Sequence, residues 1–234
     1  MYFVQGDERY QSATAEATWS LPFTRVAIST WLADVLDAHD APVEAVIPNA
    51  IDPETFAATR QLNDRAPRVI ALYHRLPVKG PDTLIDALKR LQDQMPGVEA
   101  EVISSRPPRH RFPSWVTVHV RPTLNELVAL YNRASVCLHT SRLEGWGLVP
   151  MEAAACGCAV VATASRGVSE YLTDGRSMCL VDVGDAANLA SHAARLLTHS
   201  DERIRIATAG IEDVARFSWK DSTDRLESVL LASV

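Results

Sequence analysis

The stretch that most constrains the fold of this chain covers residues 141–163. It contains two closely spaced glycines, Gly145 and Gly147, and Pro150 follows them at a position that is typical of the start of a helix. The small and β-branched residues at its end predict a buried parallel strand. An apolar run precedes it, so the whole pattern predicts a strand, a glycine turn, a short helix and a second strand. Such a turn directs backbone N–H groups and a helix dipole at one point, where they suit a phosphate group.

Two carboxylates lie on either side of this turn. Glu144 directly precedes the first glycine, and Glu152 is predicted in the first turn of the helix, near its positive end. Each acid alone has an ordinary explanation, because Glu152 would complement the helix dipole and Glu144 would be a solvated loop residue. The complete string from 144 to 152, with a strand on each side, favours a binding site instead.

This string, Glu-Gly-Trp-Gly-Leu-Val-Pro-Met-Glu, resembles a motif of the retaining nucleotide-sugar glycosyltransferases of family 4 (group 1), which have the two-domain GT-B fold. In that family the first acid approaches the hydroxyls of the donor sugar, and the second holds the ribose of the nucleotide. The resemblance implies these roles for Glu144 and Glu152. It also implies that the donor sugar and diphosphate contact the backbone of the segment between them, which consists of Gly145, Trp146, Gly147, Leu148 and Val149.

A second loop carries two cations. Arg75 and Lys79 follow the apolar strand predicted at residues 69–74, and ligands of open α/β sheets bind at that carboxyl edge. An arginine and a lysine in one loop can neutralise a diphosphate. The segment resembles the Arg…Lys-Gly loop of the same family, whose cations hold the donor diphosphate. Here the two cations are four residues apart rather than five, so the resemblance is closer for Lys79, which directly precedes Gly80.

From residue 68 onward, predicted strands alternate with predicted helices. Strands are expected at residues 69–74, 98–104, 115–120, 135–140, 158–163 and 177–181, and helices at 81–95, 124–134, 150–156, 184–199, 201–216 and 221–233. Repeated alternation implies a parallel sheet covered by helices on both faces. We therefore predict an α/β, Rossmann-like fold, which the resemblance specifies as the C-terminal, donor-binding domain of a GT-B glycosyltransferase.

The region before residue 49 is predicted to contain strands at 25–29 and 43–47 with a helix at 31–39 between them. It resembles the tail of the N-terminal GT-B domain and its hinge, so we assign residues 1–48 to that remnant. Residues 49–216 would form the nucleotide-sugar-binding domain, and residues 217–234 a closing helix. A complete second domain would need on the order of 150 more residues. The expected partners therefore include a missing N-terminal GT-B domain or another polypeptide.

Bulk properties exclude several classes of protein. The net charge is -6 and no long basic run is present, which argues against nucleic acid as a partner. No stretch approaches the ~20 apolar residues of a membrane span, although peripheral membrane association stays open. The N-terminus does not have the pattern of a signal peptide, and the four cysteines lie in apolar surroundings. We therefore expect a cytoplasmic protein with reduced thiols.

No metal or cofactor is implied by the sequence. Cys156 and Cys158 have no second Cys/His pair at the spacing of a zinc site. The glycine turn lacks the third glycine of a dinucleotide fingerprint, because Pro150 occupies that position. Glycosyltransferases of the metal-dependent fold use an Asp-x-Asp pair, and the chain contains none.

The resemblance implies transfer of a sugar from a nucleotide-diphospho-sugar, such as a UDP- or GDP-sugar, with retention of configuration. The acceptor would be a glycan, a lipid or a small molecule. Arg75 and Lys79 would stabilise the charge that builds up on the leaving diphosphate, and Glu144 would orient the sugar. Two alternatives stay open: a non-catalytic nucleotide-sugar-binding or assembly module, and a nucleotide-sugar epimerase.

Overall fold

The computed structural model describes residues 1–10 and 14–232 and contains two parallel sheets. The small sheet has three short strands in the order β1-β2-β3, and two helices accompany it. In chain order these elements are β1 (Tyr2–Val4), α1 (Glu16–Trp19), β2 (Arg25–Ala27), α2 (Thr30–Asp37) and β3 (Ala45–Val46).

The large sheet has six parallel strands in the order β6-β5-β4-β7-β8-β9. Its elements are β4 (Arg68–Tyr73), α3 (Pro81–Gln94), β5 (Glu99–Ser104), β6 (Val116–Val120), α4 (Leu124–Arg133), β7 (Val136–His139), α5 (Leu148–Ala155), β8 (Ala159–Thr163), β9 (Met178–Val181), α6 (Ala186–Thr198), α7 (Ser200–Val214) and α8 (Trp219–Ala232). The chain runs outward from β4 in one direction, returns to β7 and then runs outward in the other. The sheet therefore has its topological switch point between β4 and β7, where open α/β sheets bind ligands.

The core lies on both faces of the large sheet, because successive side chains of a strand point to opposite faces. Ile70 on β4 belongs to the cluster that includes α4 and α5, whereas its neighbours Val69 and Ala71 belong to the cluster that includes α3 and α6. Both clusters consist of buried hydrophobic residues, mostly aliphatic, and the first also contains aromatic residues such as Trp146 and Tyr171. The predicted α/β, Rossmann-like fold with helices on both faces is confirmed.

The helix after the glycine turn begins earlier than predicted. Gly147 adopts a left-handed backbone with φ 92°, and α5 starts directly after it at Leu148 rather than at Pro150. Pro150 is then the third helical residue, where a missing N–H still costs no helical hydrogen bond. Glu152 becomes the fifth residue, so its predicted place in the first turn is wrong.

Other differences concern the ends of elements. The strand predicted at 43–47 is only Ala45–Val46, and a 3₁₀ turn follows β8 at Gly167–Glu170. The closing helix begins at Trp219 rather than at residue 221. The last two residues of the predicted 217–234 helix, 233 and 234, lie outside the described residues.

The small sheet is attached to the large one by specific hydrogen bonds. The Glu170 carboxylate accepts the backbone N–H groups of Thr30 and Trp31 at 3.1 and 2.9 Å and so caps α2. The Trp31 indole donates to the carbonyl oxygen of Gly145 at 3.0 Å. These contacts hold the start of α2 directly against the glycine turn. Within the described residues, no helix is long and apolar enough to cross a bilayer.

Candidate functional site

A cavity of about 260 Å³ lies where the carboxyl edges of the two sheets meet. Gln5 follows β1 and Ile28 follows β2, while His139 ends β7 and Lys79 lies in the loop after β4. The remaining wall includes Glu144 and the whole segment of residues 145–149. The topology alone therefore brings the predicted acidic and basic loops to one place.

Glycines allow the segments around the cavity to approach one another closely. A Cβ atom at Gly145 would lie 2.0 Å from the carbonyl oxygen of Gln5, and one at Gly80 would lie 2.0 Å from the carbonyl oxygen of Thr140. Gly80 also has a left-handed backbone with φ 62°, which costs glycine little. No side chain larger than hydrogen fits at either position without movement of the backbone.

Lys79 and Glu144 form an ion pair inside the cavity. The Lys79 ammonium nitrogen Nζ lies 2.7 Å from Oε1 and 2.8 Å from Oε2 of Glu144. The Ser141 hydroxyl also donates to Glu144 Oε1 at 2.6 Å. The two side chains are 29% and 12% exposed, so the pair is partly shielded from water. Two groups predicted for different parts of a ligand thus contact each other directly.

The ionisation of Glu144 follows from these neighbours. Burial opposes its negative charge, but the His139 ring, the Lys79 ammonium and the Ser141 hydroxyl together hold the pKa of the carboxyl below its ordinary value. The Lys79 and Ser141 contributions persist at neutral pH. Glu144 is therefore a carboxylate under ordinary conditions and acts only as a hydrogen-bond acceptor.

His139 is a site residue that the sequence reasoning missed. Its side chain is 5% exposed, and Nε2 lies 3.8 Å from Glu144 Oε1 and 3.4 Å from the Ser165 hydroxyl. Burial lowers the pKa of the ring to about 4, against the effect of Glu144 and together with that of Lys79. The imidazole is therefore neutral at neutral pH. Its position at the end of a strand that leads into the acidic motif was the available signal.

The glycine turn lines the cavity with its backbone. Within the described residues, the N–H groups of Gly145, Trp146 and Gly147 have no protein acceptor. The side chain of Trp146 points elsewhere, because its ring is buried and stacks on Tyr171 with a centroid distance of 5.3 Å. At Trp146 only the backbone is therefore available to a ligand, whereas the Leu148 side chain of the same segment is exposed.

Arg75 and Glu152 are not among the described residues that line this cavity. The exposed Arg75 guanidinium donates to the Pro107 carbonyl oxygen and lines a neighbouring cavity of about 500 Å³ with Arg106. Glu152 accepts a hydrogen bond of 2.9 Å from the Tyr131 hydroxyl, and burial raises the pKa of its carboxyl. The cavity thus contains Glu144 and Lys79, whereas Arg75 and Glu152 lie beside it.

The α5 helix relates Glu152 to the cavity. Glu152 is four residues after Leu148, which lines the cavity, and residues at this spacing lie on the same face of a helix. A ligand that extends from the cavity along α5 would reach Glu152 after one helical turn. The described residues contain no group of three or more His, Cys, Asp or Glu side chains that could hold a metal ion.

Residues 67–199 match the family described as "Glycosyl transferases group 1", which is more than half of the chain. The chain belongs to the group 1 glycosyl transferases. This membership confirms the resemblance drawn from the acidic motif, because the matched range includes the motif from Glu144 to Glu152.

Two relatives carry the name D-inositol 3-phosphate glycosyltransferase. The protein of Stackebrandtia nassauensis is 30% identical over an alignment of 208 residues, which covers 77% of this chain and 47% of that protein. The protein of Corynebacterium urealyticum is 30% identical over an alignment of 218 residues, which covers 81% of this chain and 51% of that protein. The chain spans about half the length of these curated relatives.

Solved structures share the fold. Anabaena HepE in complex with UDP and glucose superposes with a TM-score of 0.80 at 18% identity, covering 98% of this chain and 70% of HepE. Sucrose-phosphate synthase from Thermosynechococcus elongatus also has a TM-score of 0.80, at 20% identity, with 97% and 64% covered. The C-terminal domain of a group 1 glycosyl transferase from Francisella tularensis matches at 0.62 and 22% identity, with 71% and 97% covered. These similarities confirm the fold expected for part of a GT-B glycosyltransferase.

Proposed function

We propose that this chain supplies the donor-binding half of a retaining glycosyltransferase, which transfers a sugar from a nucleotide-diphospho-sugar to an acceptor. The observation that carries the proposal is the Lys79–Glu144 pair in one cavity with the unpaired N–H groups of residues 145–147. A nucleotide-diphospho-sugar combines hydroxyl groups with an anionic diphosphate. The cavity combines a carboxylate acceptor with cationic and N–H donors.

In this arrangement the diphosphate binds against the N–H groups of the glycine turn and the Lys79 ammonium. Lys79 then exchanges part of its contact with Glu144 for a phosphate oxygen, and Glu144 accepts hydroxyl groups of the sugar instead. Preorganised donors of this kind stabilise charge that develops on a leaving diphosphate. The neutral His139 ring supports Glu144 without adding a second charge.

Arg75 and Glu152 are assigned to the ends of the ligand. Arg75 is exposed and held by one carbonyl oxygen, so its long side chain can turn toward a diphosphate at a small cost. Glu152 lies one helical turn beyond the cavity and would accept the hydroxyls of the ribose. No metal or cofactor takes part in this proposal.

The names of similar proteins suggest which donor to test first. Structures of HepE were determined with UDP, with UDP and glucose, and with UDP-glucose. UDP-glucose is therefore the first donor for this chain, with GDP-sugars as the comparison. The other half of the cleft would come from an N-terminal GT-B domain or partner chain, which binds the acceptor. The four buried free cysteines support a reducing, cytoplasmic location.

The proposal is tested by thermal unfolding with UDP, GDP and their sugars. A ligand that binds only the folded chain raises its melting temperature. We expect one of these nucleotides to raise it for the wild type and for Lys220→Ala, an exposed lysine on α8, but not for Lys79→Ala. If no nucleotide or nucleotide-sugar changes the melting temperature, the chain is a non-catalytic module.

Turnover separates the two enzyme classes. We expect the 234 residues alone to bind donor and to release nucleotide slowly with any acceptor. Addition of the N-terminal half should restore acceptor-dependent release of nucleotide. Interconversion of the sugar without any acceptor would identify an epimerase and overturn the transferase proposal.

A further inference from the structure

A basic loop, residues 105–115, connects β5 to β6. Between residues 102 and 125 the sequence contains no Asp or Glu, although the whole chain has a net charge of -6. Arg106, Arg109 and Arg111 lie in this loop and are exposed. Within residues 1–10 and 14–232, none of these three guanidinium groups takes part in an ion pair. Positive charge is therefore concentrated in this loop of an acidic protein, with Asp82 of α3 as the acidic residue that lines a neighbouring cavity beside Arg109.

Aromatic packing holds the basic loop in place from its inner side. The Phe112 ring meets Tyr73 of β4 edge-on at a centroid distance of 5.6 Å, and His110 meets Phe112 in the same way at 5.1 Å. The Pro107 carbonyl oxygen accepts a hydrogen bond from Arg75. Because these contacts use the inner side of the loop, its arginines stay directed toward solvent.

A largely apolar cavity lies beneath the basic loop. Its volume is about 600 Å³, and Ile85 and Leu88 of α3 form its floor together with Phe112 and Trp115 of the loop. The cations on its rim are Lys89 and Arg111, and the His110 ring lies beside them. None of the described residues that line it is acidic. The cavity thus offers an apolar interior behind a positively charged entrance.

The apolar character continues toward the donor cavity. Leu76 is 53% exposed and lines the adjoining cavity of about 500 Å³ together with Arg75, Arg106 and Arg121. An exposed leucine beside arginines combines the apolar and basic character of surfaces that lie at a membrane interface. The loop follows β5, which is parallel to β4 and β7, so it lies on the same edge of the large sheet as Lys79 and Glu144.

We propose that the basic loop and the cavity beneath it dock onto an anionic lipid surface. Anionic headgroups would contact the three arginines and Lys89, and acyl chain segments would enter the apolar cavity. A dissolved phosphate would neutralise only the positive charges, whereas an anionic bilayer would neutralise the charges and also fill the apolar cavity. This docking would place the donor cavity beside the membrane. Membrane docking goes beyond donor binding, and the chain can lose one of these two properties while it keeps the other.

The experiment measures sedimentation of the chain with vesicles of phosphatidylcholine and with an equimolar mixture of phosphatidylcholine and phosphatidylglycerol. We expect binding to the mixed vesicles only, and weakening by added salt. The Arg109→Gln, Arg111→Gln double variant should lower the partition coefficient about thirtyfold, and Lys89→Gln about fivefold, since each removes charges near the surface. The matched control, Arg205→Gln with Arg225→Gln on α7 and α8, has the same change of charge and should bind like the wild type.

Melting curves with and without a donor nucleotide accompany each variant. An unchanged donor-induced shift in the double variant shows that the fold and the donor cavity are intact. Equal binding to both kinds of vesicle, or equal loss in the double variant and the matched control, would overturn the proposal. Tighter binding of an oligodeoxythymidine than of mixed vesicles would also overturn it, because the loop would then be a site for nucleic acid.

Discussion

His139 makes a quantitative prediction about stability and pH. Its ring has a pKa of about 4 in the folded chain because of burial, whereas an unfolded histidine has a pKa of about 6.5. Between these two values the unfolded chain binds a proton that the folded chain does not. The free energy of unfolding therefore falls as the pH falls, and this residue alone contributes a loss of about 3 kcal/mol by the lower end of the range.

The perturbation is His139→Gln, which keeps a polar side chain near Ser165 but has no titrating group. We expect the variant's free energy of unfolding to depend less on pH than that of the wild type, by about 3 kcal/mol between pH values of about 6.5 and 4. The assay is urea unfolding at a series of pH values in that range. His199→Gln, an exposed histidine at the end of α6, is the matched control and should retain the wild-type dependence.

Parallel curves for His139→Gln and the wild type would refute this reasoning. They would mean that the folded ring takes up its proton as readily as the unfolded one. In that case Glu144 and His139, whose atoms lie 3.8 Å apart, would form an ion pair instead of a neutral contact.

The remaining predictions use the same measurement. Glu144→Gln should lower the free energy of unfolding by about 2 kcal/mol at neutral pH, because it leaves the partly buried Lys79 ammonium without its counter-charge. The pKa of the Glu144 carboxyl is lower in the folded chain than in the unfolded chain, so its contribution to stability is complete above the unfolded pKa. The difference in free energy between wild type and Glu144→Gln should therefore vanish as the pH falls through the folded pKa. A difference that stays constant with pH would contradict this prediction. Gly145→Ala should cost about 3 kcal/mol through its clash with Gln5, and an unchanged stability would exclude that contact. Glu170→Ala should cost about 1 kcal/mol by uncapping α2, whereas Glu227→Ala on the exposed face of α8 should cost nothing measurable.

The secondary structure of the large sheet was predictable because its signals are local. Strands β4, β7, β8 and β9 are mostly apolar runs, β6 alternates apolar with polar residues, and α3 and α4 have apolar residues at helical spacing. Alternation of the two then implies parallel strands. Element ends were less predictable, as α5 shows: Pro150 suits the first helical position, but the left-handed backbone of Gly147 allows the helix to begin two residues earlier.

The candidate site was only partly predictable. The motif and the loop after β4 pointed to Glu144 and Lys79 separately, and they are 65 residues apart in the sequence. His139 gave no signal beyond its place at a strand end. Glu170 caps α2 across 140 residues. Contacts of this kind depend on where distant loops meet, which no local pattern records.

The chain's own residues thus determined which segments are strands and helices, where glycine is required and which charges lie in the loops, because these depend on neighbours along the chain. Tertiary structure alone decided that Lys79 binds Glu144, that Arg75 donates to Pro107 and that Glu152 accepts a hydrogen bond from Tyr131. The physical reason is geometric. If a helix starts one residue earlier or later, its side chains are turned by about 100° about the axis relative to the preceding chain. The partner that a charged side chain contacts is therefore set only when the elements have packed.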